Sequence, residues 1–293
     1  MKKLMFAAIA CAMALTGCSS EDDCTTDNPQ VSDPPVEIKI SAGIPGLLSR
    51  APVNTNDNIT APFVASTTNG DYTTNAWVST ATFVASPTPT SALSFNPSRY
   101  YSPTATSPIY ITGYYPAGTL SGKTVTFASN GMEDVMITAQ ATGTKATATP
   151  LSFTFNHLLT QLQFQFKSGA GYPASGNNVT QIVIRSQKMP ATLTLNDGSL
   201  TYAAASDLTL NGTYPITTAG ATAVDCPMVK SGEALVIGVT TSDGVVYPDA
   251  TISLTTQVGK AHLITFTLTP KEITSTVSVT AWAPGGGGSS SLQ

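Results

Sequence analysis

Apolar and polar residues alternate with a period of two along much of this chain, which predicts strands rather than helices. The clearest case is Leu158–Phe166, where Leu162, Phe164 and Phe166 alternate with Gln161, Gln163 and Gln165, the pattern of a half-buried strand. A second case lies near the front. In the stretch Val36 to Arg50, Val36, Ile38 and Ile40 point one way and Glu37, Lys39 and Ser41 the other. A Gly/Pro-broken loop follows and ends in Arg50. Further strands are predicted at Ala76–Ala85, Ile109–Tyr115, Lys123–Ala128, Val135–Ala139, Val179–Ile184, Leu235–Thr240, Ala250–Thr255, His262–Leu268 and Thr276–Trp282. Asn196-Asp197-Gly198 joins Thr192–Leu195 to Ser199–Tyr202 as a hairpin by its turn chemistry. No stretch carries sustained helical periodicity with caps. The expected fold is all-β, with two tandem β-sandwich domains at 36–150 and 151–284.

Composition sharpens this picture. Charged residues are 10% of the chain, against about 25% in a typical globular protein. Hydrophobic residues stand at 41%, so Thr, Ser, Ala and Gly take the place of the missing charge and suit strands and turns. The formal net charge is −4, and loss of Lys2 and Lys3 with a leader makes the rest more acidic. No basic cluster remains, which argues against nucleic acid as a partner.

The chain ends suggest export. Residues 1–17 combine Lys2 and Lys3 with the apolar run Leu4–Leu15, a secretory signal too short to span a membrane. Leu15-Thr16-Gly17-Cys18 resembles the lipobox of bacterial lipoproteins, which implies cleavage before Cys18 and a covalent lipid on it. Each buried acyl CH₂ adds roughly 0.8 kcal/mol to membrane anchoring. Ser19-Ser20-Glu21-Asp22-Asp23 either resembles a lipoprotein surface-export signal or is a solvated acidic tether. Residues 18–35 read as a flexible lipidated tether and 285–293 as a flexible Gly/Ser tail.

Catalytic signals are weak. His157 and His262 are the two histidines, and each reads as a core-edge or strand residue rather than a base. G-x-S-x-G, H-E-x-x-H and paired-cysteine spacings do not occur. Gly118 to Thr124 approaches a phosphate-binding loop but has Ala117 where the motif needs its first glycine, so it reads as a turn. Cys24 and Cys226 read as two thiols, with a disulfide between them as the alternative. Trp77 and Trp282 are either sugar-stacking platforms or, the favoured reading, sheet-packing residues. The chain is expected not to be an enzyme and to carry no metal and no cofactor beyond the lipid on Cys18.

Several short signatures then fall in order along the chain: the lipobox, Ser49-Arg50-Ala51 after the first strand, Gly113-Tyr114-Tyr115-Pro116, Asp134-Val135-Met136, Phe155-Asn156-His157 opening the Gln-alternating strand, and a late strand ending in Trp282. Together they resemble the fimbrillin-like (Mfa-like) proteins. That resemblance implies two tandem transthyretin-like β-sandwich domains in a lipoprotein precursor carried to the surface of the outer membrane. It implies a maturation protease that cuts after an arginine, here the bond between Arg50 and Ala51, and so releases a strand bearing Val36, Ile38 and Ile40. Subunits would then join by strand exchange into an adhesive pilus. Thr276–Trp282, with Val277, Val279 and Ala281 on one face, is the expected donor. Little chain follows that strand, so either the donor is short or the subunit is an anchor, a minor subunit or a tip. An ordinary surface arginine remains the alternative at position 50. Expected partners are other pilin subunits, the outer membrane, the protease, and a host glycan or protein. The rival reading is a non-polymerising surface lipoprotein that binds glycans through its β-domains.

Overall fold

The computed structural model describes residues 33–45, 53–173, 176–222, 225–270 and 272–281. The chain divides into a segment Met1–Pro34, described only at its last two residues, and a compact unit Pro35–Gln293. The lipidation residue Cys18 and the expected cut between Arg50 and Ala51 lie outside the described residues.

The unit is built from strands. Its first part holds β1 (Lys39–Gly43), β2 (Asn58–Ser66), β3 (Trp77–Val84), β4 (Thr90–Ser94), β5 (Ile109–Tyr115), β6 (Thr119–Ser121), β7 (Thr124–Thr126), β8 (Met136–Thr138), β9 (Ala141–Gly143) and β10 (Leu151–His157). The rest holds β11 (Thr160–Ser168), β12 (Asn178–Gln187), β13 (Pro190–Thr194), β14 (Leu200–Tyr202), β15 (Ser206–Pro215), β16 (Ala221–Thr222), β17 (Met228–Val229), β18 (Leu235–Thr241), β19 (Val246–Ile252), β20 (Lys260–Leu268) and β21 (Ile273–Ala281). Among the described residues one short 3-10 turn, Lys145–Thr147, is the helical exception. The fold is all-β, as its sequence predicts.

The first sheet runs β3-β2-β5-β8-β10-β1-β4, with β9 beside β5. Its two ends meet: Thr80 and Asn96 exchange main-chain hydrogen bonds of 3.2 and 2.7 Å. The sheet thus curls around one apolar core containing Ile38, Ile40, Phe63, Phe83, Phe95, Phe153 and Phe155. Curling of this kind leaves fewer open edges.

Two further sheets, β16-β11-β20-β21 and β15-β12-β18-β19, enclose a second core as a sandwich. Leu162, Phe164, Phe166, Ile264 and Phe266 from one sheet and Ile182, Ile184 and Ile237 from the other belong to it, all buried. The predicted alternation in β11 holds on this face. On the other face Gln161 is fully buried, because its cross-strand partner Met228 belongs to a third core. A fourth sheet, β14-β13-β7-β6, pairs the hairpin at 119–126 with the hairpin at 190–202, joining strands from both sides of residue 150. The turn at Gly122 has φ +56° and belongs to a hairpin, so the resemblance to a phosphate loop ends there.

Candidate functional site

The leading strand lies inside the first sheet. Residues Ile40 to Gly43 run parallel to Leu151–Thr154 of β10, and β4 pairs antiparallel on the other side. The regular strand begins at Lys39. Ahead of it Glu37 bridges Tyr100, Ile38 N–H donates to Arg99 C=O at 2.8 Å, and Tyr101 N–H donates to Val36 C=O at 3.0 Å. At the other end Ile44 N–H donates to Ser86 C=O at 2.9 Å. Main-chain partners therefore hold the segment from Val36 to Ile44, on both sides from Ile40 to Ala42.

Its two faces differ. Ile38, Ile40, Ala42 and Ile44 are each 0% exposed and Val36 packs partly against the same core. Lys39 and Glu37 form a 2.6 Å ion pair on the half-exposed outer face, where Lys39 Nζ also donates to Ser94 Oγ. Such exposed pairs contribute about 0–1 kcal/mol, whereas each fully buried Ile contributes roughly 1.5–3 kcal/mol. The apolar face dominates retention. At the exit Gly43 is the residue that fits, since a Cβ there would stand 3.1 to 3.2 Å from Pro89.

Below the exit lies a buried polar pair that chain order alone does not bring together. Asp134, fully buried, places Oδ2 2.6 Å from Nδ1 of His157, and His157 Nε2 lies 3.2 Å from the Pro45 carbonyl oxygen. Both residues sit in short signatures that carried the resemblance. Nothing in the sequence pairs them; the β8–β10 register brings them together.

The expected donor residues lie elsewhere. β21 pairs along its length with β20, from Leu268–Ile273 to Lys260–Ala281, and ends its sheet in this structure. Val277 packs partly against the second core, while Val279 is 55% exposed. Trp282 lies outside the described residues. Trp77 is no open platform: its edge meets Phe95 at 5.1 Å and the Arg99 guanidinium lies over its ring at 5.3 Å. Cys226 is buried, and Cys24 lies outside the described residues. Among the described residues no three His, Cys, Asp or Glu side chains gather as metal ligands.

His262 is the other buried histidine. The Gln257 N–H donates to its Nε2 at 3.2 Å, so that nitrogen carries no proton, and Nδ1 has no partner. Burial holds its pKa below the usual 6.5. The unfolded chain therefore binds a proton at a pH where the folded chain does not. Its stabilising effect is present above the unfolded pKa and is lost as pH falls from about 6.5 toward the folded value, at no more than ~1.4 kcal/mol per pH unit for one proton. Urea unfolding at pH 7.5 and 5.5 checks this: His262→Gln should lose less stability over that interval than the wild-type chain. An equal loss in both would remove His262 as the cause.

A family model described as fimbrillin-like matches residues 49–282. The chain belongs to the fimbrillin-like family. No curated protein matches it. Among solved structures, a candidate cell adhesion protein from Bacteroides uniformis aligns with a TM-score of 0.59 at 16% identity, covering 84% of this chain and 98% of that one. A candidate cell adhesion protein from Bacteroides ovatus gives 0.59 at 15%, over 85% and 99%. One from Bacteroides fragilis gives 0.54 at 14%, over 85% and 99%. At such identities these likenesses concern the fold. Family membership makes the chain a fimbrial structural protein rather than an enzyme. Among the described residues no helix is long and apolar enough to cross a membrane.

Proposed function

We propose that this fimbrillin-like chain is a pilus subunit made as a lipoprotein precursor, anchored through Cys18, matured by cleavage between Arg50 and Ala51, and assembled by strand exchange. The observation that carries the reading is the placement of the leading strand: it fills an interior position of a sheet with partners on both sides, and its apolar face is sealed in the core. The described chain resumes at Val53, itself 1% exposed and in that same core. A cut at Arg50 would therefore separate two buried elements and leave the first held by non-covalent contacts alone. The family match begins at residue 49, next to the expected cut.

Loss of segment 36–44 would expose main-chain groups of β10 and β4 and an apolar slot, which is a template for an incoming strand. Val277, Val279 and Ala281 repeat the large-large-small order of Ile38, Ile40 and Ala42 at the same spacing. The exposure of Val279 and the edge position of β21 leave that strand with one neighbour to give up. Trp282 falls in the Gly43 position of that alignment, where Pro89 stands close, so the fit requires Pro89 to shift.

Limited trypsin treatment of the full chain tests the reading. The expected result is one preferred cut after Arg50, identified by the mass of the new N-terminus, followed by oligomers on gel filtration that grow with protein concentration. A first cut elsewhere, or a product cut at Arg50 that stays monomeric at every concentration, would refute it and favour the glycan-binding alternative.

A further inference from the structure

Apolar burial does not explain the polar pair at the exit of the slot. Asp134 is fully buried, its Oδ2 faces His157 Nδ1 at 2.6 Å, and its Oδ1 has no hydrogen-bond partner. Burying a carboxyl group is costly unless a specific contact offsets it. His157 supplies that contact, and its far nitrogen meets the Pro45 carbonyl at 3.2 Å. A carbonyl oxygen only accepts, so Nε2 carries a hydrogen. The proton in the 2.6 Å contact then lies between Nδ1 and the carboxyl group. A lone neutral imidazole has one N–H; with Asp134 behind it the ring can hold Pro45 and keep its other nitrogen satisfied.

We propose that Asp134 and His157 form a binding site for one backbone carbonyl of the extended segment that fills the slot. In the uncut chain the ligand is the carbonyl of Pro45. In an assembled fibre it is a carbonyl of the strand supplied by a second copy of this chain, a part of the proposal that rests on the strand-exchange reading. His157 touches the ligand and Asp134 is a positioning residue, which fixes the ring's orientation through Nδ1. The site binds main chain, so it constrains where the occupant turns out of the sheet and leaves side-chain choice to the apolar pockets.

Peptide-resolved hydrogen exchange on the full, uncut chain tests this without any cleavage. His157→Phe keeps the ring's bulk and removes the donor; exchange in residues 36–45 should rise about tenfold, the scale of one lost buried hydrogen bond, while 160–168 stays unchanged. His157→Gln, whose side-chain amide reaches the place of Nε2, should restore most of the protection. Asp134→Leu, which strips Nδ1 of its partner, should loosen 36–45 in the same local way, and it decides the matter should the Phe variant not fold. Unchanged exchange at 36–45, equal acceleration at 160–168, or no recovery with Gln would overturn the proposal. Monomers after trypsin with the expected exchange pattern would instead refute strand exchange and leave the Pro45 contact standing.

Discussion

Replacing Ile40 by alanine lowers the stability of the uncut chain by about 2–5 kcal/mol, the range for truncating a buried aliphatic side chain. Ile40 is 0% exposed, with Ile38, Ala42 and Ile44 in the same core, so little relaxation can close the cavity. The measurement is the urea midpoint at unchanged m-value. Glu37→Ala and Lys39→Ala, one position to either side of Ile38, should stay within about 0.5 kcal/mol, since they touch a half-exposed ion pair. The contrast bears on assembly. Three isoleucines at roughly 1.5–3 kcal/mol each approach the ~5–15 kcal/mol that holds a whole domain together. A cut at Arg50 alone would therefore not empty the slot quickly. An incoming strand has to compete for it, and Ile40→Ala should speed release of the cut segment by at least about an order of magnitude. If Ile40→Ala cost no more than Lys39→Ala, the apolar face would not be what retains the strand.

The sequence shows the parts of the fold that depend on local alternation and hides those that depend on partners. β11, β20 and β5 are legible because one face of each is apolar at every second residue. β2 is hidden by Pro62, which argues against a central strand. The structure accommodates it because the β5 ladder begins at Phe63, one residue later. β15 is hidden by Asn211-Gly212, which reads as a turn. Here the glycine serves close packing instead, as a Cβ would stand 2.6 Å from the Tyr214 ring. β19 starts at Val246 rather than Ala250: Tyr247 alone faces the second core there, while Val246, Pro248 and Asp249 around it are exposed, so no apolar alternation marks the start. The parallel pairing of β1 with β10, more than a hundred residues along, leaves no local trace. Asp134 and His157 are likewise two ordinary residues until β8 and β10 lie side by side. The half of the candidate site set by periodicity, the apolar face of the leading strand, can be read directly; the half set by register cannot.

Phe63→Ala should cost about 3–5 kcal/mol, enough to unfold a marginal domain. Phe63 is 0% exposed, and its ring meets Phe95, Phe153 and Phe155 edge-on at centroid distances of 5.3, 5.0 and 5.8 Å. It belongs to the core that seals Ile38 and Ile40, so the loss should also raise hydrogen exchange at 36–45. The same ring explains the glycine of the Gly113-Tyr114-Tyr115-Pro116 signature. A Cβ at Gly113 would lie 2.7 and 2.9 Å from two Phe63 ring carbons and 3.0 Å from Phe155, and Gly113→Ala should itself cost about 1–3 kcal/mol from overpacking. The two substitutions share one volume. Removing the ring makes room for the methyl group, so the double variant should be more stable than the sum of the single losses allows, by at least about 0.5 kcal/mol. Thermal or urea midpoints of the four chains measure that coupling. Strict additivity would mean that Gly113 is required by its backbone alone and that the ring does not press on it.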